Sequence, residues 1–181
     1  MRLFDINADL AQTKDLSAQY PEVVERLKAA YEEIWASMEP GFEAPRYIVV
    51  GTERENPAVL TAHDWVEGGV PYDQWQIVKG INTNGYWTVK FAKSGKYRFS
   101  LRRWPPEIGR SIHFLKEDRI FNRAILQIGD QKHERKIYPE ERGIVFELKV
   151  EKGNHDVKTF LCEGENKVRG AYYLVVEHLG R

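Results

Sequence analysis

Between residues 21 and 38 apolar positions recur every three or four residues. Val23, Val24, Leu27, Tyr31, Ile34, Trp35 and Met38 fall on one helical face, and Glu22, Glu25, Arg26, Lys28, Glu32 and Glu33 occupy the other. Pro21 suits the first helical position, where its missing N–H would have no intrahelical acceptor anyway. Pro40-Gly41 supplies the stop. The pattern predicts one amphipathic helix, preceded by a short extended lead and a polar turn over Asn7 to Asp15. A face of that size must pack against something, and Val24, Leu27, Tyr31 and Trp35 are its expected docking residues.

After Pro45 the period changes. Tyr86 to Ala92 alternates, Lys93-Ser-Gly-Lys96 offers a turn, and Lys96 to Arg103 alternates again with Tyr97, Phe99 and Leu101 on one side, which predicts a hairpin. Further strand runs are Arg123 to Ile128, Ile144 to Val150, Val157 to Cys162 and Ala171 to His178, with weaker candidates at Arg46 to Val50, Ala58 to Thr61 and Trp75 to Lys79. No helical segment is long enough for a βαβ crossover. The expected fold is therefore mainly β: an N-terminal amphipathic helix in residues 1–45, then an antiparallel β-sandwich or jelly roll over residues 46–181.

Length and charge narrow the function classes. A chain of 181 residues with 42% hydrophobic content can bury one sizeable core. Its 27 basic residues are balanced by 27 acidic ones, so no field of one sign exists to hold a polyanion, and nucleic acid is not an expected partner. Cys162 is the single cysteine, which excludes an internal disulfide and a multi-cysteine zinc site. No apolar run approaches the ~20 residues that cross a bilayer, and the start Met-Arg-Leu-Phe lacks the apolar stretch of a signal peptide. A signal in a longer parent would lie upstream, so localisation stays open.

Catalytic constellations do not assemble. His63, His113, His133, His155 and His178 are scattered, without a metal-ligand spacing. There is no Gly-x-Ser-x-Gly, no Ser-x-x-Lys and no phosphate-cradling glycine loop. Cys162 ends an alternating run and reads as an ordinary strand residue. Two stretches stand out. One runs from His63-Asp64-Trp65 to Trp75, where rings could stack on a sugar and polar groups could bond its hydroxyls, or where the rings simply cap the sandwich. The other is Arg102-Arg103-Trp104, whose guanidinium groups suit a sulfate or carboxylate, or a salt bridge to Glu107 or to a neighbouring domain.

These residues resemble a known family. Arg2-Leu-Phe-Asp-Ile-Asn-Ala-Asp9, Thr13-Lys-Asp-Leu16, Tyr20-Pro-Glu-Val-Val-Glu-Arg-Leu27, Tyr31 and Trp35 are similar to the closing segment of the catalytic unit in bacterial sulfatases of the arylsulfatase type, with Leu10 where that family usually has proline. Leu60-Thr-Ala-His-Asp-Trp65, Asn84-Gly-Tyr-Trp87, Ser94-Gly-Lys-Tyr97, Leu101-Arg-Arg-Trp-Pro105 and Arg169-Gly-Ala-Tyr-Tyr173 resemble the extra C-terminal β-domain of some of those enzymes. The second set is also similar to carbohydrate-binding jelly rolls.

The resemblance implies an accessory portion. The family's formylglycine arises in a Cys/Ser-x-Pro-x-Arg motif and works beside a calcium ion. Here Cys162 is followed by Glu163-Gly164-Glu165-Asn166, so no catalytic or metal residue is carried over. Calcium and formylglycine are expected in a catalytic domain upstream, and this chain is expected to need no cofactor. The implied partner is that domain, in cis, with sulfated carbohydrate or aryl sulfate as ligand and a periplasmic or secreted parent. A freestanding carbohydrate-binding module is the rival expectation.

Overall fold

The structure of the protein, a computed structural model, describes residues 1–42, 44, 46–115 and 120–180, with the backbone alone at Lys167. The chain divides into two compact units, Met1–Pro45 and Arg46–Arg181.

In the first unit, carboxylates hold the lead in shape. Asp15 accepts the Leu3 and Ser17 N–H groups at 3.1 and 2.9 Å, and Asp9 accepts the Lys14 N–H at 2.7 Å. These bonds favour the ionised form, so both carboxyls titrate below the usual aspartate range; the Lys14 N–H contributes most for Asp9 and the Leu3 N–H for Asp15. Helix α1 follows over Pro21–Met38, with Pro21 at its first position. Glu39–Gly41 adds one 3-10 turn, because Pro40 has no N–H to continue the α ladder. No residue of α1 is buried. Tyr31 is 59% exposed and Ile34 58%.

The second unit consists of β1 (Ile48–Val50), β2 (Ala58–Thr61), α2 (Gln74–Lys79), β3 (Tyr86–Phe91), β4 (Gly95–Arg102), β5 (Arg123–Ile128), β6 (Gln131–Lys136), β7 (Ile144–Val150), β8 (Gly153–Glu163), β9 (Asn166–Arg169) and β10 (Tyr173–Gly180). A six-stranded sheet runs β1-β3-β8-β5-β6 with β9 also on β8, and a four-stranded sheet runs β2-β10-β4-β7. The pairings are antiparallel except between β1 and β3, which are parallel. The protein is a mainly β sandwich.

Alternation decides which side chains meet. Trp87, Val89 and Phe91 of β3 face inward from one sheet, and Tyr97, Phe99 and Leu101 of β4 face inward from the other. Phe91 packs edge-on against Tyr97 and Phe99, with ring centroids 5.0 and 6.1 Å apart. The expected β3–β4 hairpin is thus replaced by a corner: the two strands lie in different sheets and their apolar faces oppose each other across the core. A true hairpin joins β5 to β6 through Gly129, whose φ of 55° suits the turn.

Trp75 to Lys79, a strand candidate by composition, is helix α2. Asp73 caps its start by accepting the Gln76 N–H at 2.9 Å, and Gly80 closes it in the left-handed region. Strands β6 and β9 escape the alternation test. Gln131–Lys136 is a polar edge strand with no fully buried residue, so no apolar period marks it.

Candidate functional site

Two of the sequence stretches singled out above meet at one end of the sandwich. Thr61 ends β2 and caps a 3-10 turn at Ala62–Asp64; its N–H and hydroxyl both donate to the Asp64 carboxylate, at 3.1 and 2.9 Å. Asp64 is therefore occupied as a cap. His63 lies beside it, its Nε2 3.3 Å from the Tyr72 carbonyl.

Trp65 turns inward. It is 6% exposed and packs on Trp87 and Tyr172 at centroid distances of 5.8 and 6.3 Å. Its Nε1 has no hydrogen-bond partner among the described residues. Trp75 stands out instead, 70% exposed on α2, next to Tyr72 at 84%. A cavity of about 200 Å³ at the sheet end is lined by Thr61, His63, Asp73, Gln74 and Tyr173 among others, and neither Trp75 nor Tyr72 lines it. Gln74 Nε2 donates to the Tyr173 hydroxyl at 2.8 Å. The space is below the ~300–1,000 Å³ that encloses a drug-sized ligand. It suits the edge of one ring, with hydroxyl-bonding groups among its lining residues.

The second stretch is split by the alternation of β4 and the loop after it. Arg103 is 1% exposed and donates to the Ile77 and Val78 carbonyls at 3.1 and 3.0 Å, and to Ile112 at 3.4 Å. A cation on the last carbonyls of α2 satisfies groups that the helix leaves open and complements its dipole. Trp104 is buried beneath it, with the Arg103 guanidinium 4.6 Å from its ring and its Nε1 donating to Ser111 at 3.0 Å. Arg103 and Trp104 thus hold the helix that carries Trp75, and a ligand at the surface does not reach them.

Arg102 points to the outer face of the four-stranded sheet. Burial pushes its pKa down, Glu107 raises it, and the neighbouring Arg142 lowers it. The expected Arg102–Glu107 salt bridge does not form within ion-pairing distance among the described residues, and the Arg102 Nε is buried without a partner.

Sequence reasoning missed Tyr173 and Arg142. Tyr173 is the outward member of an alternating run, and Arg142 sits in a turn; neither has a local signal. Among the described residues no group of three or more His, Cys, Asp and Glu side chains is placed to hold a metal ion. No described helix is long and apolar enough to cross a membrane. The docking candidates Val24, Leu27, Tyr31 and Trp35 lie on α1, Val24 half-buried and the other three exposed.

No protein-family model matches the chain, and no curated protein matches it. Among solved structures it is similar to a ruminal GH26 endo-β-1,4-mannanase, at 14% identity and a TM-score of 0.47, over 76% of this chain and 28% of that one. The chain thus spans under a third of that protein's length. None of these comparisons bears on the chemistry of the site.

Proposed function

We propose that the chain is the non-catalytic C-terminal part of an arylsulfatase-type sulfuric ester hydrolase, its helix docking on the catalytic domain in the same polypeptide. The observation that carries this is α1: 18 residues with an amphipathic pattern and no buried residue. Most of the stability of an amphipathic helix in a protein comes from packing its apolar face. Leu27, Tyr31, Ile34 and Trp35 are all exposed, so that face is available. Full burial of each would contribute roughly 1.5–3 kcal/mol. The resemblance of residues 2–27 to the end of a sulfatase catalytic unit supplies the occupant.

The chemistry agrees. Asp64 is spent on a cap, Cys162 is buried in β8, and His63 faces a backbone carbonyl, so these three residues do not combine into a paired nucleophile and base. In this reading the calcium and formylglycine chemistry belongs to the domain upstream. Trp75 and Tyr72 would help to select the sulfated sugar or aryl ester.

An aryl sulfate reporter assay with added calcium tests it, run on this chain and on a version extended upstream through a Cys/Ser-x-Pro-x-Arg motif. Turnover by the extended protein alone is expected. Hydrolysis by this chain alone overturns the reading.

A second reading, a freestanding carbohydrate-binding module, is favoured by Trp75 and Tyr72, exposed on the segment whose Pro71, Asp73 and Gln74 line the cavity. Binding of a neutral oligosaccharide to residues 46–181, lost in Trp75→Ala, supports it; unchanged binding in that variant removes the site.

A further inference from the structure

A further cavity lies at the other end of the four-stranded sheet. There Gly95 of β4 pairs with Val150, which lines it, whereas Arg102 at the far end of β4 pairs with Tyr173, which lines the cavity described above. The run from Gly95 to Arg102 separates the two by roughly 23 Å, at ~3.3 Å per residue. This cavity measures about 510 Å³, inside the ~300–1,000 Å³ that encloses a small-molecule ligand.

Two turns build it, and both are tied down. In the β5–β6 turn the Gly129 N–H donates to the Asp156 carbonyl at 2.9 Å, and Gln127 Nε2 donates to the Gly129 carbonyl at 3.0 Å. In the β7–β8 turn the Ser94 hydroxyl donates to the Glu151 carboxylate at 2.7 Å and accepts the Lys152 N–H at 2.8 Å. His155 stands between the turns. Its ring packs edge-on against Phe91 at a centroid distance of 5.5 Å, and its Nε2 lies 3.2 Å from the Glu151 carbonyl. A carbonyl only accepts, so Nε2 carries a proton, and in the neutral ring Nδ1 is left as an acceptor. That nitrogen is beside the first turn: a Cβ at Gly129 would be 3.9 Å from it.

Ile128 and Val150, 5% and 6% exposed, give the cavity apolar lining. Asp130, Gln131 and Lys149 line it too, and their side chains form no hydrogen bond or ion pair among the described residues. Unused donors and acceptors therefore surround a space that other bonds have already shaped. The charges narrow the ligand class. Asp130 and Glu151 are carboxylates and Lys149 is an ammonium, so an ion of either sign meets a like charge, whereas a hydroxyl donates to the first two and accepts from the third. Among the described residues no His, Cys, Asp and Glu group that includes Asp130, Glu151 and His155 is placed to hold a metal ion. A ring with C–H groups on its face and hydroxyls at its edge fits both kinds of lining.

We infer that this cavity binds a neutral saccharide, one ring lying against Ile128 and Val150 with its hydroxyls bonded by Asp130, Gln131, Lys149 and His155 Nδ1. The site is distinct from the one around Trp75 on which the carbohydrate-module reading stands, and it does not depend on α1 docking.

The test is an NMR titration of the isotope-labelled full chain with glucose, galactose, mannose, maltose and cellobiose, and with glycine and putrescine as zwitterionic and cationic probes. At least one sugar is expected to give saturable shifts at residues 129–131 and 149–151 and at the His155 ring. Asp130→Ala should weaken that binding roughly tenfold, as for a lost hydrogen bond to a charged group, and Gln131→Ala about threefold. Both side chains are exposed and unbonded among the described residues, so the melting temperature should stay unchanged in each variant. Trp75→Ala should leave these shifts intact. Absence of saturable shifts at this end with all of the sugars, or indifference of the binding to both substitutions, overturns the inference. Glycine or putrescine binding here more tightly than every sugar overturns its saccharide half. Sugar shifts confined to residues 61–75 overturn it and uphold the carbohydrate-module reading, whereas sugar shifts at this end with none at residues 61–75 support it and fail the Trp75 site alone.

Discussion

Trp65, Asn84 and Gly170 come from three separate stretches of the chain and occupy one packed spot. A Cβ at Gly170 would lie 2.4 Å from the Asn84 Oδ1 and 3.0 Å from Trp65 Cζ2. Asn84 is itself anchored, donating to the Thr159 carbonyl at 3.0 Å. Gly170→Ala should therefore cost about 1–3 kcal/mol by overpacking, read from urea unfolding midpoints. Gly143→Ala should cost less, because the Ser100 hydroxyl and the Arg102 guanidinium that it meets can swing away. Equal losses would mean that rigidity of the surroundings does not set the cost. The quoted sequence blocks interlock around this spot: Ala62 N–H to Tyr172, Val66 N–H to Tyr86, Gly170 N–H to Thr83, and Trp87 Nε1 to Thr61. Trp65 looked like a ligand-stacking ring from its polar sequence neighbours. Its burial was not legible there, because Gly85 and Gly170, which clear its space, lie 20 or more positions away in sequence.

At the level of elements, ion pairs on the outer face of the four-stranded sheet register β10, β4 and β7. Glu147 is held below the ordinary glutamate range, first by its bond to Lys96 and next by Arg98. A carboxyl with a lowered folded-state pKa adds stability above its unfolded value and loses that contribution as pH falls through its folded value. Glu147→Gln should thus lower the urea midpoint at pH 7, with the difference shrinking below pH ~4.5. Salt should also shrink it, since the pair is partly exposed. A difference constant across pH would assign the effect to packing. Element identity was legible wherever apolar period was strong, as in α1, β3, β4 and β7. It failed for Trp75–Lys79, where Trp, Ile and Val favour a strand but the Asp73 cap, Gly80 and the Arg103 bonds at its C-terminus decide for a helix.

For the whole molecule, the two units differ in what holds them. Residues 46–181 bury Trp87, Phe91, Tyr97, Phe99 and Leu101 almost completely in one core, whereas α1 buries nothing. A chain of residues 46–181 alone should melt cooperatively within about 2 °C of the full chain, and the full chain should show more self-association in sedimentation because of its apolar helix face. A collapse of the shorter chain would show that the sandwich depends on the first unit. The existence of the helix, the β character of the rest and the inward set of each strong strand were determined by the sequence itself, since apolar period is a local property that survives in any packing. Only the tertiary structure decided that β3 and β4 part into different sheets, and that Trp65, Arg103 and Trp104 are structural while Trp75 and Arg102 face outward. Those outcomes depend on which surfaces meet at long sequence separation, where burial, shape and charge are settled jointly by residues that no local pattern links.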